Sequence, residues 1–234
     1  MEYSNGKALL SKRADSKVPI ASITKLMTAM VVLDSHPPMD EPIRVSRDDV
    51  DTLRYSRSKL PVGWTLTRWQ LLNLALMCSE NRAAHALART YPGGENAFVE
   101  AMNEKARSLE MSDSRFLDPT GLDGRNVSTA GDLVRLVDAA SGYYTIRRMT
   151  TMPQLSVRGG RYNRARLFGN SNRLIHNHRW NITLSKTGYI NEAGYCLVMK
   201  TVLKERPIVF VLLDSQGKNS RLGDAIRIKR WLKG

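Results

Sequence analysis

An α+β fold, with a mostly helical middle inserted between sheet-bearing ends, is what the 234-residue sequence predicts. Three observations lead there. Helical periodicity dominates from Ser22 to about Ala140. Two β-rich runs, Gly194–Leu203 and Pro207–Leu213, lie close together near the C-terminus. A hairpin signal, Asn5-Gly6, stands at the other end, before Ala8-Leu9-Leu10. The two ends are therefore expected to share one sheet. Residues 1–234 read as one domain, with residues 1–36 and 181–234 as the sheet-bearing lobe and residues 37–180 as the mostly helical lobe.

The elements follow in chain order. After the short N-terminal strand pair, Ser22–Leu33 carries Ile23, Leu26, Met27, Met30 and Val31 at helical spacing. Pro19 lies just before this segment and Pro37-Pro38 end it. Leu71–Met77 is a strongly apolar helix entered through Thr67 as N-cap. Arg82–Ala88 is the next, ending before Pro92-Gly93-Gly94. Glu95–Leu109 turns Phe98, Met102 and Leu109 inward, and Ser128–Ala140 does so with Leu133, Leu136, Val137 and Ala140. Asp118-Pro119-Thr120-Gly121 is a turn between these two helices. Beyond residue 150 the pattern changes. Asn181–Ser185 is short and extended, the two β-rich runs flank a turn at Lys204-Glu205-Arg206, and Asp224–Leu232 is a closing helix.

Composition narrows the function classes. Hydrophobic residues make up 42% of the chain, enough for a sizeable core. No apolar run approaches the ~18 residues of a membrane span. The formal charge of +14 points to an anionic partner. Nucleic acid is disfavoured: the densest basic stretch, Arg161, Arg164, Arg166, Arg173 and Arg179, lacks regular aromatic interleaving and any nucleic-acid-binding signature. An anionic cell wall fits, and so does peripheral contact with an acidic membrane. Cys78 and Cys196 make no disulfide framework and read as buried small hydrophobes rather than a bridge. The four histidines show no metal-ligand spacing, so neither a metal nor a cofactor is expected.

Three short elements carry chemistry. Ser-x-x-Lys occurs at Ser4-Lys7, Ser22-Lys25, Ser56-Lys59 and Ser215-Lys218, but only Ser22 opens a clear amphipathic helix. There Lys25 lies on the same helical face as Ser22. The first turn also offers unpaired N–H groups to a developing oxyanion. Ser79-Glu80-Asn81 falls between two helices, where serine can relay a proton and asparagine can bind a substrate amide; alone it reads as a helix cap. Lys186-Thr187-Gly188 follows the Asn181–Ser185 strand. Lysine and threonine there can bind a carboxylate, Gly188 permits close backbone approach, and the Tyr189 N–H can donate to an oxyanion; alone it reads as a strand-end turn.

Together, in this order and these contexts, the three resemble the signatures of penicillin-binding proteins and class A β-lactamases. The stretches Pro19–Met30, Leu74–Ala84, Tyr91-Pro92-Gly93-Gly94, Asp118–Leu122 and Lys186–Tyr189 resemble low-molecular-mass penicillin-binding proteins, and most of all their type-7 group, the D-alanyl-D-alanine endopeptidases. The resemblance covers nearly the whole chain. It implies a mainly antiparallel sheet flanked by helices with an inserted helical lobe. It implies Ser22 as the acylated nucleophile and Lys25 as its base, kept neutral by the nearby charge of Lys186. Ser79 would pass the proton on, Asn81 would orient substrate, and Lys186 and Thr187 would hold a carboxylate beside the scissile amide. The implied partners are peptidoglycan stem peptides and, as covalent inhibitors, β-lactam antibiotics. The implied compartment is the periplasm, reached by a secreted form whose signal peptide is absent from this chain.

Four readings of this core are weighed, three of them catalytic. Endopeptidase action is favoured because the added β-rich domain and amphipathic anchor of many carboxypeptidase relatives do not follow Leu232; carboxypeptidase action is the alternative. A β-lactamase needs a positioned glutamate for deacylation, and Glu95, Glu100, Glu104 and Glu110 read instead as the solvent face of a helix. A non-catalytic peptidoglycan-binding protein would leave the three motifs idle.

Overall fold

The computed structural model describes residues 8–234. The Asn5-Gly6 hairpin lies outside them, and Ala8-Leu9-Leu10 forms a bend rather than the expected strand. Leu9 lies instead against an apolar cluster built by the C-terminal strands and helix.

A two-residue strand, β1 (Val18–Pro19), leads into a 3-10 turn at Ala21–Thr24 and then α1 (Lys25–Asp34). Ser22 therefore sits in the 3-10 turn, one turn before the α-helix expected to start at it. Residues Lys25–Val32 of α1 are buried on every face, which makes it the central helix of the molecule. After β2 (Pro42–Arg44) and β3 (Thr65–Thr67) comes α2 (Arg68–Met77). Thr67 caps it as the sequence predicts, within a reciprocal capping box: its hydroxyl accepts from the Gln70 N–H, and the Gln70 side chain accepts from the Thr67 N–H. Then follow α3 (Asn81–Arg89), α4 (Gly94–Ser108), β4 (Val127–Ser128), α5 (Ala130–Gly142) and α6 (Tyr144–Thr151). α6 was not foreseen. Neither was the hairpin of β5 (Gln154–Gly159) and β6 (Arg164–Gly169).

The main sheet is formed by β7 (Ile182–Ile190), β8 (Gly194–Leu203) and β9 (Arg206–Ser215), antiparallel and in that order. Its register pairs Lys186 with Val198, Gly188 with Cys196 and Met199 with Phe210. Alternate residues of β8 enter different cores. Cys196 and Val198 face the large cluster that contains α1–α6 side chains. Leu197 and Met199 face a smaller one, covered by Trp180 and by α7 (Ser220–Lys233). Burial on both faces explains the unbroken apolar stretch Cys196–Met199 within β8. Around this sheet the helices carry three two-stranded pairs, β1–β4, β2–β3 and β5–β6. One polar tie binds the helical part: His85 on α3 meets Asp49 at 2.9 Å and Glu95 on α4 at 3.1 Å.

Candidate active site

The backbone around Ser22 is shaped by its neighbours. Ala21 adopts φ of 48°, in the left-handed region that L-residues avoid. Two glycines make room for it. A Cβ on Gly121, itself at φ of 78°, would stand 1.9 Å from the Ala21 carbonyl oxygen. A Cβ on Gly188 would stand 3.0 Å from the Ser22 nitrogen. Strand β7 and the Asp118–Gly121 turn therefore both reach the Ser22 backbone directly. The turn is closed by the Asp118 carboxylate, which accepts from the Thr120 and Gly121 N–H groups at 2.9 and 3.1 Å.

From this base the side chains converge. The Lys25 Nζ lies 2.8 Å from the Ser22 Oγ, 2.8 Å from the Asn81 Oδ1 and 2.6 Å from the Thr120 carbonyl oxygen. Asn81 in turn donates from Nδ2 to the Ser56 Oγ at 3.0 Å. Ser79, at φ of 65° in the α2–α3 junction, accepts a 2.8 Å hydrogen bond from the Lys186 Nζ. Lys186 also donates to the Thr187 carbonyl, and the Thr187 hydroxyl donates to the Ser171 Oγ at 2.8 Å. The structure thus brings the serine–lysine pair, the Ser79–Asn81 junction and the Lys186–Gly188 strand into one cleft. Tyr189 contributes no side chain to it: its ring stacks on Tyr195 and its hydroxyl donates to Asn191.

Lys186-Thr187-Gly188 does not end its strand. β7 continues through it to Ile190, because Tyr189 and Ile190 pair with Tyr195 and Gly194. The glycine marks the close approach to Ser22 rather than a turn.

Electrostatics single out the two amines, both fully buried. Burial lowers the Lys25 amine from 10.5 to about 8, against the opposing pull of the Asp118 and Glu80 carboxylates. Lys186 falls well below its ordinary value, first through burial and then through repulsion from Lys25. Desolvation is the first cause at both amines, and the repulsion between them belongs to the pair. Cys78, beside Ser79, is a free thiol pushed up to about 12 by burial, and Cys196 is free as well. Among the described residues no group of three or more His, Cys, Asp or Glu side chains is placed to hold a metal ion.

Sequence reasoning missed Ser56, set aside because no amphipathic helix opens at it, and Ser171, which lies in no recognisable motif. It also missed the Thr120 carbonyl, because a backbone acceptor leaves no side-chain signature. Arg221 on α7 was missed too. It crosses beneath the strand to donate to the Gly188 and Cys196 carbonyls at 2.9 and 2.8 Å.

Known proteins resemble this chain over nearly its whole length. A D-alanyl-D-alanine endopeptidase of Pseudomonas aeruginosa is 49% identical over 232 residues, covering 99% of this chain and 75% of that protein. One of Escherichia coli is 42% identical over 233 residues, covering 100% and 75%. The crystal structure of the Streptomyces K15 DD-transpeptidase superposes with a TM-score of 0.90 at 28% identity, over 99% of this chain and 94% of that one. The family model described as D-alanyl-D-alanine carboxypeptidase, peptidase S11, matches residues 1–217, and the chain belongs to that family.

Proposed function

We propose that the protein is a serine D-alanyl-D-alanine endopeptidase that hydrolyses peptidoglycan cross-links through an acyl-enzyme on Ser22. The observation that carries this reading is the 2.8 Å hydrogen bond that the Lys25 Nζ donates to the Ser22 Oγ, from an amine that burial lowers to about 8. About a tenth of such an amine is neutral at pH 7, enough to accept the Ser22 proton. The Ser22 oxygen then attacks the D-alanyl carbonyl, and the Ser22 and Tyr189 N–H groups receive the oxyanion. The proton passes through Ser79 to the leaving amine as the C–N bond breaks. Water, deprotonated by Lys25, hydrolyses the ester and returns Ser22. Asn81 orients the substrate amide. A substrate carboxylate beside Lys186 and Thr187 draws a proton back onto Lys186, which leaves Lys25 as the neutral member of the pair.

The endopeptidase names of the relatives at 49% and 42% identity favour cross-links as substrate. Carboxypeptidase action is the second reading, favoured by the description of the family. A terminal D-Ala-D-Ala bond and a D-alanyl cross-link both place a carboxylate beside the scissile amide, so one core serves either. β-Lactams acylate the same hydroxyl, and the substrate puts the enzyme in the periplasm or outside the cell. Ser22→Ala is expected to abolish labelling by fluorescent penicillin and leave the melting temperature within about 2 °C. Labelling that persists in Ser22→Ala refutes the nucleophile assignment. Mass spectrometry of digested cross-linked and uncross-linked muropeptides separates the two activities.

A further inference from the structure

From Ala139 to Asn191 the chain has no Asp or Glu and nine Lys or Arg. The β5–β6 hairpin concentrates them. Arg158, Arg161, Arg164 and Arg166 are all exposed, and Tyr162 at the turn is 72% exposed. The register puts Gly159, Arg164 and Arg166 on the face that looks onto Trp64. The two glycines let the strands close over that ring: a Cβ on Gly159 or Gly160 would stand within 2.8 Å of it. Between the tip and Trp64 lies a cavity of about 300 Å³, walled by Pro61, Tyr162 and three arginines. The guanidinium groups of Arg161 and Arg164 lie over Tyr162, and that of Arg166 over Trp64, at 5.5–5.9 Å. These contacts hold the cations forward without neutralising them.

The hairpin is tied to the cleft. Arg166 donates to the Lys59 carbonyl at 2.7 Å, and three residues earlier Ser56 accepts from Asn81. Three residues of chain span at most about 11 Å. Arg57 and Lys59 on that connecting stretch are exposed and extend the cationic strip from the hairpin toward the cleft.

We propose that the β5–β6 tip and the Trp64 cavity form an exosite for the carboxylate-bearing polymer of the substrate, outside the acylation site. The proposal rests on the peptidoglycan reading of the cleft. A sacculus carries free carboxylates on its many stems, and a fixed cationic strip with aromatic walls holds such a chain while one cross-link enters the cleft. Small acyl donors do not reach it. A polymer anchored there is bound by local charge, not by the +14 of the whole molecule.

The test compares R161E/R164E with R107E/R230E, which changes the net charge equally at exposed arginines outside the hairpin. Retention on isolated sacculi is measured at low and moderate salt, alongside labelling by fluorescent penicillin. The hairpin variant is expected to lose sacculus affinity by roughly tenfold and much of its salt dependence, with labelling within twofold of the parent. The distal variant is expected to keep both. Unchanged sacculus retention in R161E/R164E overturns the exosite, and so does an equal loss in both variants. If the hairpin variant loses only its retention on phosphatidylglycerol vesicles, the surface is a membrane contact and the exosite is again wrong. A parent protein that binds sacculi but takes no penicillin overturns the peptidase reading instead.

Discussion

The acylation rate should follow the deprotonation of Lys25, and the structure sets where that occurs. With the amine at about 8, the neutral fraction is about 1% at pH 6, 9% at pH 7 and 91% at pH 9. The second-order rate of labelling by fluorescent penicillin is therefore expected to rise about ninety-fold from pH 6 to pH 9, but less than twofold between pH 8 and pH 9. An unburied lysine would still gain tenfold over that last unit. Glu80→Gln sharpens the test. The Glu80 carboxylate helps to hold the Lys25 proton and accepts from the Ser58 hydroxyl, a bond that glutamine keeps. Removing the charge should move the midpoint below 8, speed labelling at pH 7 about two- to threefold and leave the high-pH plateau unchanged. A rate that still climbs tenfold between pH 8 and pH 9, or one flat across the range, refutes the assignment of Lys25 as base. A Glu80→Gln midpoint identical to the parent's refutes the electrostatic account.

Three further outcomes follow from the same geometry. Gly121→Ala drives a methyl group into the Ala21 carbonyl from a backbone at φ of 78°, so stability should fall by about 3 kcal/mol or more, with loss of labelling; a melting temperature within about 2 °C of the parent contradicts it. Lys25→Met removes an amine whose burial costs about 3 kcal/mol in the charged form. That cost is fully present below pH 8 and fades toward the unfolded value near 10.5, so the stability of the variant relative to the parent should be greatest near pH 7 and shrink as pH rises. A difference independent of pH contradicts it. His85 is raised from 6.5 to about 9 by its hydrogen bonds to Asp49 and then Glu95. Its ion pairs should add about 1–3 kcal/mol relative to His85→Gln below about pH 6.5, and this should vanish as pH passes through 9; urea melts at pH 6 and pH 9.5 that show equal differences contradict it.

What could be read from the sequence depended on how locally each feature is encoded. Thr67 and Gln70 specify the start of α2 within one turn of chain, and the structure has that capping box. The β5–β6 hairpin was invisible because its buried side chains are few: Val157 and Phe168 are buried, while every residue from Arg161 to Leu167 is exposed, so no two-residue period stands out. The course of β7 was misjudged at Gly188 because a glycine in a strand signals either a stop or a close approach, and only the Ser22 backbone decides between them. Ser22, Lys25, Ser79, Asn81, Lys186 and Thr187, the residues of the proposed site, could be singled out because they stand in three side-chain motifs of fixed spacing, and the structure brings them into one cleft. Ser56 and the Thr120 carbonyl were not, because their contribution is made across the fold.

The same residues that complete the cleft weaken the fold around it. Ala21 and Ser79 are held at positive φ, and two lysine amines are buried close enough that one depresses the other. None of these is stable on local grounds, so each must be imposed by well-packed surroundings: α1 buried on every face, β8 buried on both, and glycines at 121 and 188 that let two distant segments touch one backbone. The central helix is thus both the core of the domain and the support of its nucleophile. A methyl group lost from Leu26 or Met30 should therefore reach the Ser22–Lys25 pair as well as the melting temperature, whereas charge reversal at the exposed hairpin should leave acylation alone. The proposed acylating centre thus depends on the buried interior, whereas the proposed polymer contact lies on exposed arginines whose replacement leaves that packing in place.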